Sequence, residues 1–567
     1  MKRHTFAGGL VIGTVMVAAI FFAATSVDGQ QTHVVKPLSN RSAAKRAEMD
    51  RDLLEVTIPV LEAFYSARKY SAVEVTLWYL DRIARYDGVY RAVLHVDAAG
   101  ALATAAAEDA AAKKAGKAFK RSTLWGVPIV IKANTSVNGL VTSAGWYGYV
   151  IPGHELIAPA DATIIAKMRA AGAIILGQTN MPDFAASDTN FSTVFGRTGN
   201  AYDVRFSPGG SSGGTVTAVT ANFAVFGNGT DTGNSIRMPA GTSAVVGLFP
   251  TRGLVSIAGI HPLDWLRDNT GPIARDVTDV AIALDVMSGE DAMDPRTNEA
   301  TKEAQPGPYT KYLKTDALKG KRFGVPAFIV RQAPAGSPQN GSPSLQPETR
   351  EMFMKAIEGL RQAGATVVFD DEILPDSFAK LCDAVNTQPY VAEGTQNFLR
   401  EFGPAEYKSF AEFAKAVGTP LPGFMRGVGG GPPSKDPAAG PRLLESDPQA
   451  ETTYFEPRRK ARAAYDDALD RFHLDGFVYP ALQMPSNDET IPLMEGRRSD
   501  GPHSNTAWVD PIGVPAIVVP GGFYPNALPF GLEIATRRWK DGDLLGWAFA
   551  YEQATKHRRP PVLVDKH

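Results

Sequence analysis

Cysteine is nearly absent: Cys382 is the only one in 567 residues. That excludes an intramolecular disulfide and a cysteine-rich metal site. With Leu381 and Asp383 beside it, nothing local prepares Cys382 as a nucleophile. Excess charge is absent too, since 58 Lys and Arg against 60 Asp and Glu leave a net charge of −2. A chain so balanced has no electrostatic footprint for nucleic acid or for an anionic membrane surface. The nine histidines form no close pair with a carboxylate at metal-ligand spacing, so His154, His261, His473 and His503 read as surface or packing residues. The phosphate-cradling pattern G-x-x-x-x-G-K-[ST] is missing, as is a G-x-G-x-x-G between strand and helix. No metal and no cofactor is expected.

What is present begins with an N-terminal pattern. Lys2, Arg3 and His4 precede an uncharged run from Ala7 to Ala24, followed by Thr25, Ser26 and the polar Asp28-Gly29-Gln30-Gln31. Residues 1–30 read as a secretory signal cleaved near Ala23-Ala24-Thr25-Ser26, although the run also approaches the length of a membrane anchor. Residues 31–55 read as a polar tether, and the working compartment as the periplasm or the exterior. Membrane contact is expected only if that segment stays uncleaved.

Hydrophobic residues make up 44% and charged residues 21%, ordinary for a chain that buries a large core. Length alone allows two or more domains; one large α/β unit is the preferred reading. Apolar spacing between Thr57 and Tyr86 predicts two helices broken near Lys69-Tyr70-Ser71, then an alanine-rich helix over Asp97–Lys117. A β-branched strand at Val127–Ile131 delivers Lys132 at its end. Asp161 is expected to cap a helix closed by Gly172, ahead of a strand at Ala173–Leu176. A helix at Gly213–Ala221, a strand at Phe223–Phe226 and a glycine loop reaching Ser235 follow. Further on the pattern predicts an α/β stretch over 323–369 with a helix at 348–362, strands at 476–479 and 515–519, and a helix at 543–556. The Pro/Gly-rich stretches 331–347 and 418–448 read as surface insertions or a lid.

Two serine-bearing glycine segments carry the chemistry. They are Gly209-Gly210-Ser211-Ser212-Gly213-Gly214 and Gly229-Thr230-Asp231-Thr232-Gly233-Asn234-Ser235, and both follow Lys132 of Gly126-Val127-Pro128-Ile129-Val130-Ile131-Lys132. Glycines beside a serine permit positive φ and let a substrate carbonyl approach main-chain N–H groups, as acyl transfer requires. With Gln178-Thr179-Asn180-Met181-Pro182-Asp183-Phe184-Ala185, these segments resemble the amidase signature family, from about Thr57 to the C-terminal helix. The resemblance implies a single large α/β domain over 56–562, with a mixed central β-sheet covered by helices on both faces. It makes Ser235 the nucleophile, Ser211 the bridging serine on a cis bond after Gly210, and Lys132 the base, which acts only when neutral. The N–H groups of Thr232, Gly233, Asn234 and Ser235 become the oxyanion hole ahead of a helix starting near Pro239. Thr230, Asp231 and Arg237 become braces, and Ser212 either supports its neighbours or shares in proton traffic. Two departures stand out: Asn234 replaces the family's usual glycine, with a side chain able to narrow the pocket, and Ala133 replaces a common acidic residue.

Two rivals share these residues. Gly210-Ser211-Ser212-Gly213-Gly214 also fits the G-x-S-x-G elbow of α/β-hydrolases centred on Ser212, which needs a buried strand just before the serine; Asp203–Pro208 is a poor one. The chain also suits a secreted binding protein that has lost chemistry. A transfer-RNA amidotransferase subunit, the other enzyme class in the family, needs a cytoplasmic partner. The favoured expectation is an exported hydrolase of a small-molecule carboxamide, with esters or carbamates as further substrates. Phe191, Trp146, Trp265 and Trp508 are equally candidates for an acyl pocket and for the core.

Overall fold

The computed structural model describes residues 43–330, 345–426, 441–495 and 501–565. Thirteen strands are present among them: β1 Val93–Val96, β2 Val127–Lys132, β3 Ala173–Thr179, β4 Phe191–Ser192, β5 Gly196–Arg197, β6 Phe226–Asp231, β7 Val246–Phe249, β8 Asn269–Ala274, β9 Arg322–Val325, β10 Thr366–Phe369, β11 Gly476–Pro480, β12 Ala516–Phe523 and β13 Pro529–Thr536. Eleven of them form one sheet in the order β1-β3-β2-β6-β8-β7-β12-β13-β11-β9-β10, while β4 and β5 make a separate hairpin. The sheet is mixed. β2 runs parallel to β3 and to β6, the central strands from β6 to β11 alternate antiparallel, and β9 and β10 close the far edge in parallel. Every residue of β2, β3, β6, β7, β8, β11 and β13 is buried. Because successive side chains point to opposite faces, such strands need cover on both sides, and the helices supply it.

The N-terminal helices are α1 Ala43–Leu53, α2 Ile58–Ser66, α3 Ala72–Tyr90 and α4 Ala98–Ala115. The break before α3 has a physical origin: Ser71 accepts a hydrogen bond from the Glu74 N–H, and Glu74 reaches back to the Ser71 N–H, a reciprocal cap. Of the segment read as a tether, α1 is an ordered helix that packs on the core through Met49 and Leu53. Trp78 Nε1 donates to Asp50 at 2.8 Å and Tyr70 OH to Asp52 at 2.5 Å. The signal reading of residues 1–30, and 31–42 of the tether, lie outside the described residues.

Several expectations change. The helix α5, Thr163–Ala170, has Ala162 at its N-cap with no side-chain cap. Asp161 instead accepts from the Asn138 N–H and pairs with Arg169 at 3.0 Å. The stretch Gly229-Thr230-Asp231, read as loop, is the end of β6. Gly229 serves close packing rather than turning: a Cβ there would stand 2.7 Å from Ile236 Cγ1 and 3.0 Å from Ser212 Oγ. Residues 331–344 and 427–440 of the insertions lie outside the described residues. The flanks of the second are not surface loop, because Leu421, Met425 and Leu444 are buried. Among the described residues no helix is long and apolar enough to cross a membrane.

The docking of α1 is open to test. Leu53 is fully buried, so Leu53→Ala is expected to lower unfolding stability by about 2–5 kcal/mol, read from the urea midpoint.

Candidate active site

Lys132 ends β2 with its side chain fully buried. Its ammonium nitrogen lies 2.7 Å from Ser211 Oγ, 3.0 Å from Ser212 Oγ and 2.8 Å from Thr230 Oγ1. All three are neutral hydroxyls, and no carboxylate forms an ion pair with it among the described residues. Burial therefore dominates, with Asp231 and Asp268 opposing it from a distance, and the pKa falls from the ordinary 10.5 to about 7. The neutral amine is therefore within reach near neutral pH. Ala133, standing where the resemblance leads to an acidic residue, is buried beside Met181 and Ala185 with Leu263 against them.

The serine segments are held together by their main chains. The Ser212 N–H donates to the Ser235 carbonyl at 3.1 Å, and the Gly210–Ser211 peptide is cis. Glycine is required at 210 because a Cβ would stand 2.6 Å from the Ser187 carbonyl oxygen. Ser212 opens the helix α6, Gly213–Thr220, but no strand precedes it, which removes the elbow geometry. Its hydroxyl bridges instead, accepting from Lys132 and from the Thr230 N–H and donating to the Thr230 carbonyl at 3.3 Å.

Ser235 lies between β6 and the short helix α7, Arg237–Thr242, and is 5% exposed. Among the described residues, the N–H groups of Thr232, Gly233, Asn234 and Ser235 donate to no protein acceptor. A Cβ at Gly233 would meet nothing within 4 Å. Four free amides beside open space are what an oxyanion needs. Ser235 Oγ is not hydrogen-bonded to Ser211; it donates to Asn234 Oδ1 at 3.3 Å. Asn234 Nδ2 in turn reaches Asp188 at 2.8 Å and Ser504 Oγ at 3.1 Å. Asn234 does not take a positive φ. Its side chain is a tie between the loop and its surroundings.

Arg237 fixes the loop from beneath. It is fully buried and pairs with Asp231 at 3.0 Å, Asp510 at 2.6 Å and Glu533 at 3.0 Å. Asp231 Oδ2 also accepts the Ile236 N–H at 2.9 Å, so it caps the start of α7 as well. One guanidinium among three carboxyls is held protonated. Burial pushes Asp510 up to about 8 and Glu533 to about 7. In both, the Arg237 charge opposes the rise that burial causes.

Other site residues lie outside the quoted motifs. Asn228 accepts the Lys132 N–H at 3.0 Å, and Asn134 donates to Thr230 Oγ1 at 3.1 Å. Both adjoin the motifs, which was the available clue. Asp268 accepts from Thr232 Oγ1 at 2.5 Å, and burial raises its pKa to about 6. His261 is buried: its Nδ1 donates to the Pro262 carbonyl at 3.1 Å, which leaves Nε2 to accept from Tyr149 OH at 2.8 Å. Of the aromatic candidates, Trp146 packs with Tyr149 and Phe184 in a buried cluster, and Trp508 with Tyr465 and Tyr479 in the core. Trp265 donates Nε1 to the Tyr390 carbonyl, while Phe191 is exposed on the β4–β5 hairpin. Among the described residues no three His, Cys, Asp or Glu side chains converge as a metal site would require.

Removing the central guanidinium tests the brace. Arg237→Met leaves Asp231, Asp510 and Glu533 without their counter-charge and is expected to destabilise the fold by about 3–5 kcal/mol at pH 8 in a denaturant titration, with a smaller loss at pH 5 where Asp510 and Glu533, both raised by burial, protonate.

The amidase family profile matches residues 74–545. The A-subunit of the glutamyl-tRNA(Gln) amidotransferase of Symbiobacterium thermophilum is 32% identical over 514 residues, covering 89% of this chain and 98% of that protein. Its counterpart in Moorella thermoacetica is 31% identical over 536 residues, covering 90% and 99%. Native peptide amidase from Stenotrophomonas maltophilia superimposes with a TM-score of 0.72 at 30% identity, covering 90% of this chain and 99% of that one. The chain belongs to the amidase family and has its single large α/β domain.

Proposed function

We propose that this amidase-family hydrolase cleaves carboxamides of small molecules by acyl transfer on Ser235. The observation that carries the reading is the buried amine of Lys132, lowered to about 7 and 2.7 Å from Ser211 Oγ. A neutral lysine can take the Ser211 proton as Ser211 takes that of Ser235. For this, Ser235 Oγ leaves Asn234 and turns to Ser211. The freed oxygen attacks the carbonyl carbon, and the developing oxyanion is met by the N–H groups of residues 232–235. The proton on Lys132 returns through Ser211 to the leaving nitrogen, the C–N bond breaks, and water releases the acid from Ser235. Ser212 and Thr230 hold the ammonium between transfers. The basic residues 2–4 ahead of an uncharged run support export.

The full-length similarity to amidotransferase subunits favours a second reading, in which the amide is glutamine and a partner receives the ammonia. Purified chain separates the two: hydrolysis of peptide or amino-acid amides without partners supports the first, and glutamine turnover only with added partner and transfer RNA supports the second.

Mass spectrometry after fluorophosphonate treatment is expected to show one adduct, abolished in Ser235→Ala and suppressed in Lys132→Ala. An adduct that persists in Ser235→Ala would remove the assignment. Lys132→Ala is expected to lower kcat/KM for an amide by about 10²–10⁴-fold.

Because the base acts only unprotonated, kcat/KM is expected to fall tenfold per unit as pH drops below about 7 and to level off above it. An acidic optimum with intact Ser235 acylation contradicts Lys132 as base.

A further inference from the structure

The Ser235 hydroxyl has one proton and two claimants for it. A serine hydroxyl is a single O–H donor, and the relay needs that donor on Ser211. In the structure it is given to Asn234 Oδ1 at 3.3 Å instead. While that bond stands, Ser235 cannot pass its proton to Ser211. Lys132 and Ser211 are already joined at 2.7 Å, so the relay is assembled up to its last link and open there.

The competing acceptor is held in place. Asn234 Nδ2 donates to Asp188 Oδ1 at 2.8 Å and to Ser504 Oγ at 3.1 Å, with Met238 Sδ at 3.8 Å. An ionised carboxylate only accepts, so Asp188 faces the nitrogen end of the carboxamide and the oxygen end is left to Ser235. The segment that brings Ser504 packs closely on Asp188, since a Cβ at Gly501 would stand 2.2 Å from the Asp188 Cβ. The main chain is fixed at the same point: the Asn234 carbonyl accepts the Met238 N–H at 2.8 Å, and the Ser235 carbonyl accepts the Ser212 N–H at 3.1 Å. What remains free is rotation of the Ser235 side chain between its staggered positions. Glycine at 234 would offer the hydroxyl no side-chain acceptor at all.

We propose that Asn234, oriented by Asp188 and Ser504, is a positioning residue that holds the Ser235 hydroxyl off the Ser211–Lys132 relay until acylation begins. This rests on Ser235 as the nucleophile. A substrate carbonyl seated on the N–H groups of residues 232–235 is bound with the Asn234 bond intact. Turning the hydroxyl to Ser211 then breaks that bond, so its worth adds to the barrier of acylation and not to binding.

The test treats the full chain with a fluorophosphonate over a range of concentrations and follows the Ser235 adduct by mass spectrometry, which separates the maximal labelling rate from the half-saturating concentration. Asn234→Ala removes the carboxamide and keeps a Cβ. It is expected to raise the maximal rate by about three- to tenfold, the worth of one neutral hydrogen bond, and to leave the half-saturating concentration unchanged. Asp188→Ala lets the carboxamide turn and is expected to raise the rate by a smaller factor. Added to Asn234→Ala it is expected to change nothing more, whereas a direct action of the Asp188 charge on the oxyanion would persist in the double variant. Ser504→Ala, expected to act like Asp188→Ala, carries the test if Asn234→Ala fails to fold. A maximal rate no higher than wild type in the folded variants, or an Asp188→Ala effect undiminished in the double variant, overturns the proposal and leaves the nucleophile standing. An adduct absent from Ser235 in wild type and variants alike removes the nucleophile and the positioning role together.

Discussion

A single buried guanidinium organises the centre of this molecule. Arg237 is reached from the end of β6 through Asp231, from the 509–512 turn through Asp510, from β13 through Glu533 and from the Thr506 carbonyl at 2.9 Å. These groups come from three separate stretches of chain, and the planar fork of arginine is the one side chain that can bond all of them at once. Lysine would offer a point charge and lose the geometry. The loop bearing Ser235 inherits its position from this junction, because Asp231 both pairs with Arg237 and caps the helix that begins two residues after the serine.

The second constraint is the placement of an amine at full burial. Lys132 sits on a central strand whose every residue is buried, and its partners are hydroxyls and a carbonyl. Had Ala133 been a carboxylate in contact with it, the coulombic gain would have held the ammonium charged. The surrounding Asp231 and Asp268 are engaged elsewhere, with Arg237 and with Thr232. Their influence is only partial. Poise near neutrality thus arises from which carboxylates already have partners.

Much of the architecture was readable because the physics is local. Helices α2, α3 and α4, strand β2 and the C-terminal helix Asp541–Thr555 follow apolar periodicity and propensity. Strands β7, β8 and β13 escaped. β8 carries Gly271 and Pro272, which read as a breaker, yet Gly271 is there because the Leu248 carbonyl oxygen would stand 2.0 Å from a Cβ. Similarly, β6 hides behind Gly227 and Gly229. In both strands glycine reports a close neighbour from another part of the chain, information no local window holds. The site divides the same way. Its serines and lysine lie in short quoted segments, and Asn134 and Asn228 adjoin them. Asp510 and Glu533 lie far off in sequence, in no recognisable pattern, and are brought in only by the sheet order and the segment before β12, whereas Asp188 lies just past the quoted Gln178–Ala185. The resting hydrogen bond of Ser235 to Asn234 was beyond sequence, since it depends on a rotamer and on Asp188 and Ser504 holding the amide.

The lone cysteine has a practical side. Cys382 is buried with Phe378 and Tyr465 in the second core cluster, and burial with Asp383 nearby pushes its thiol up to about 12. At any ordinary pH it is an unreactive sulfhydryl. For thiol-directed chemistry the described surface is therefore blank. A cysteine introduced on the β4–β5 hairpin, where Phe191 is exposed, would be the one reactive sulfhydryl on the described surface, so a spin label or fluorophore could be attached at a chosen point with the natural residue left in place.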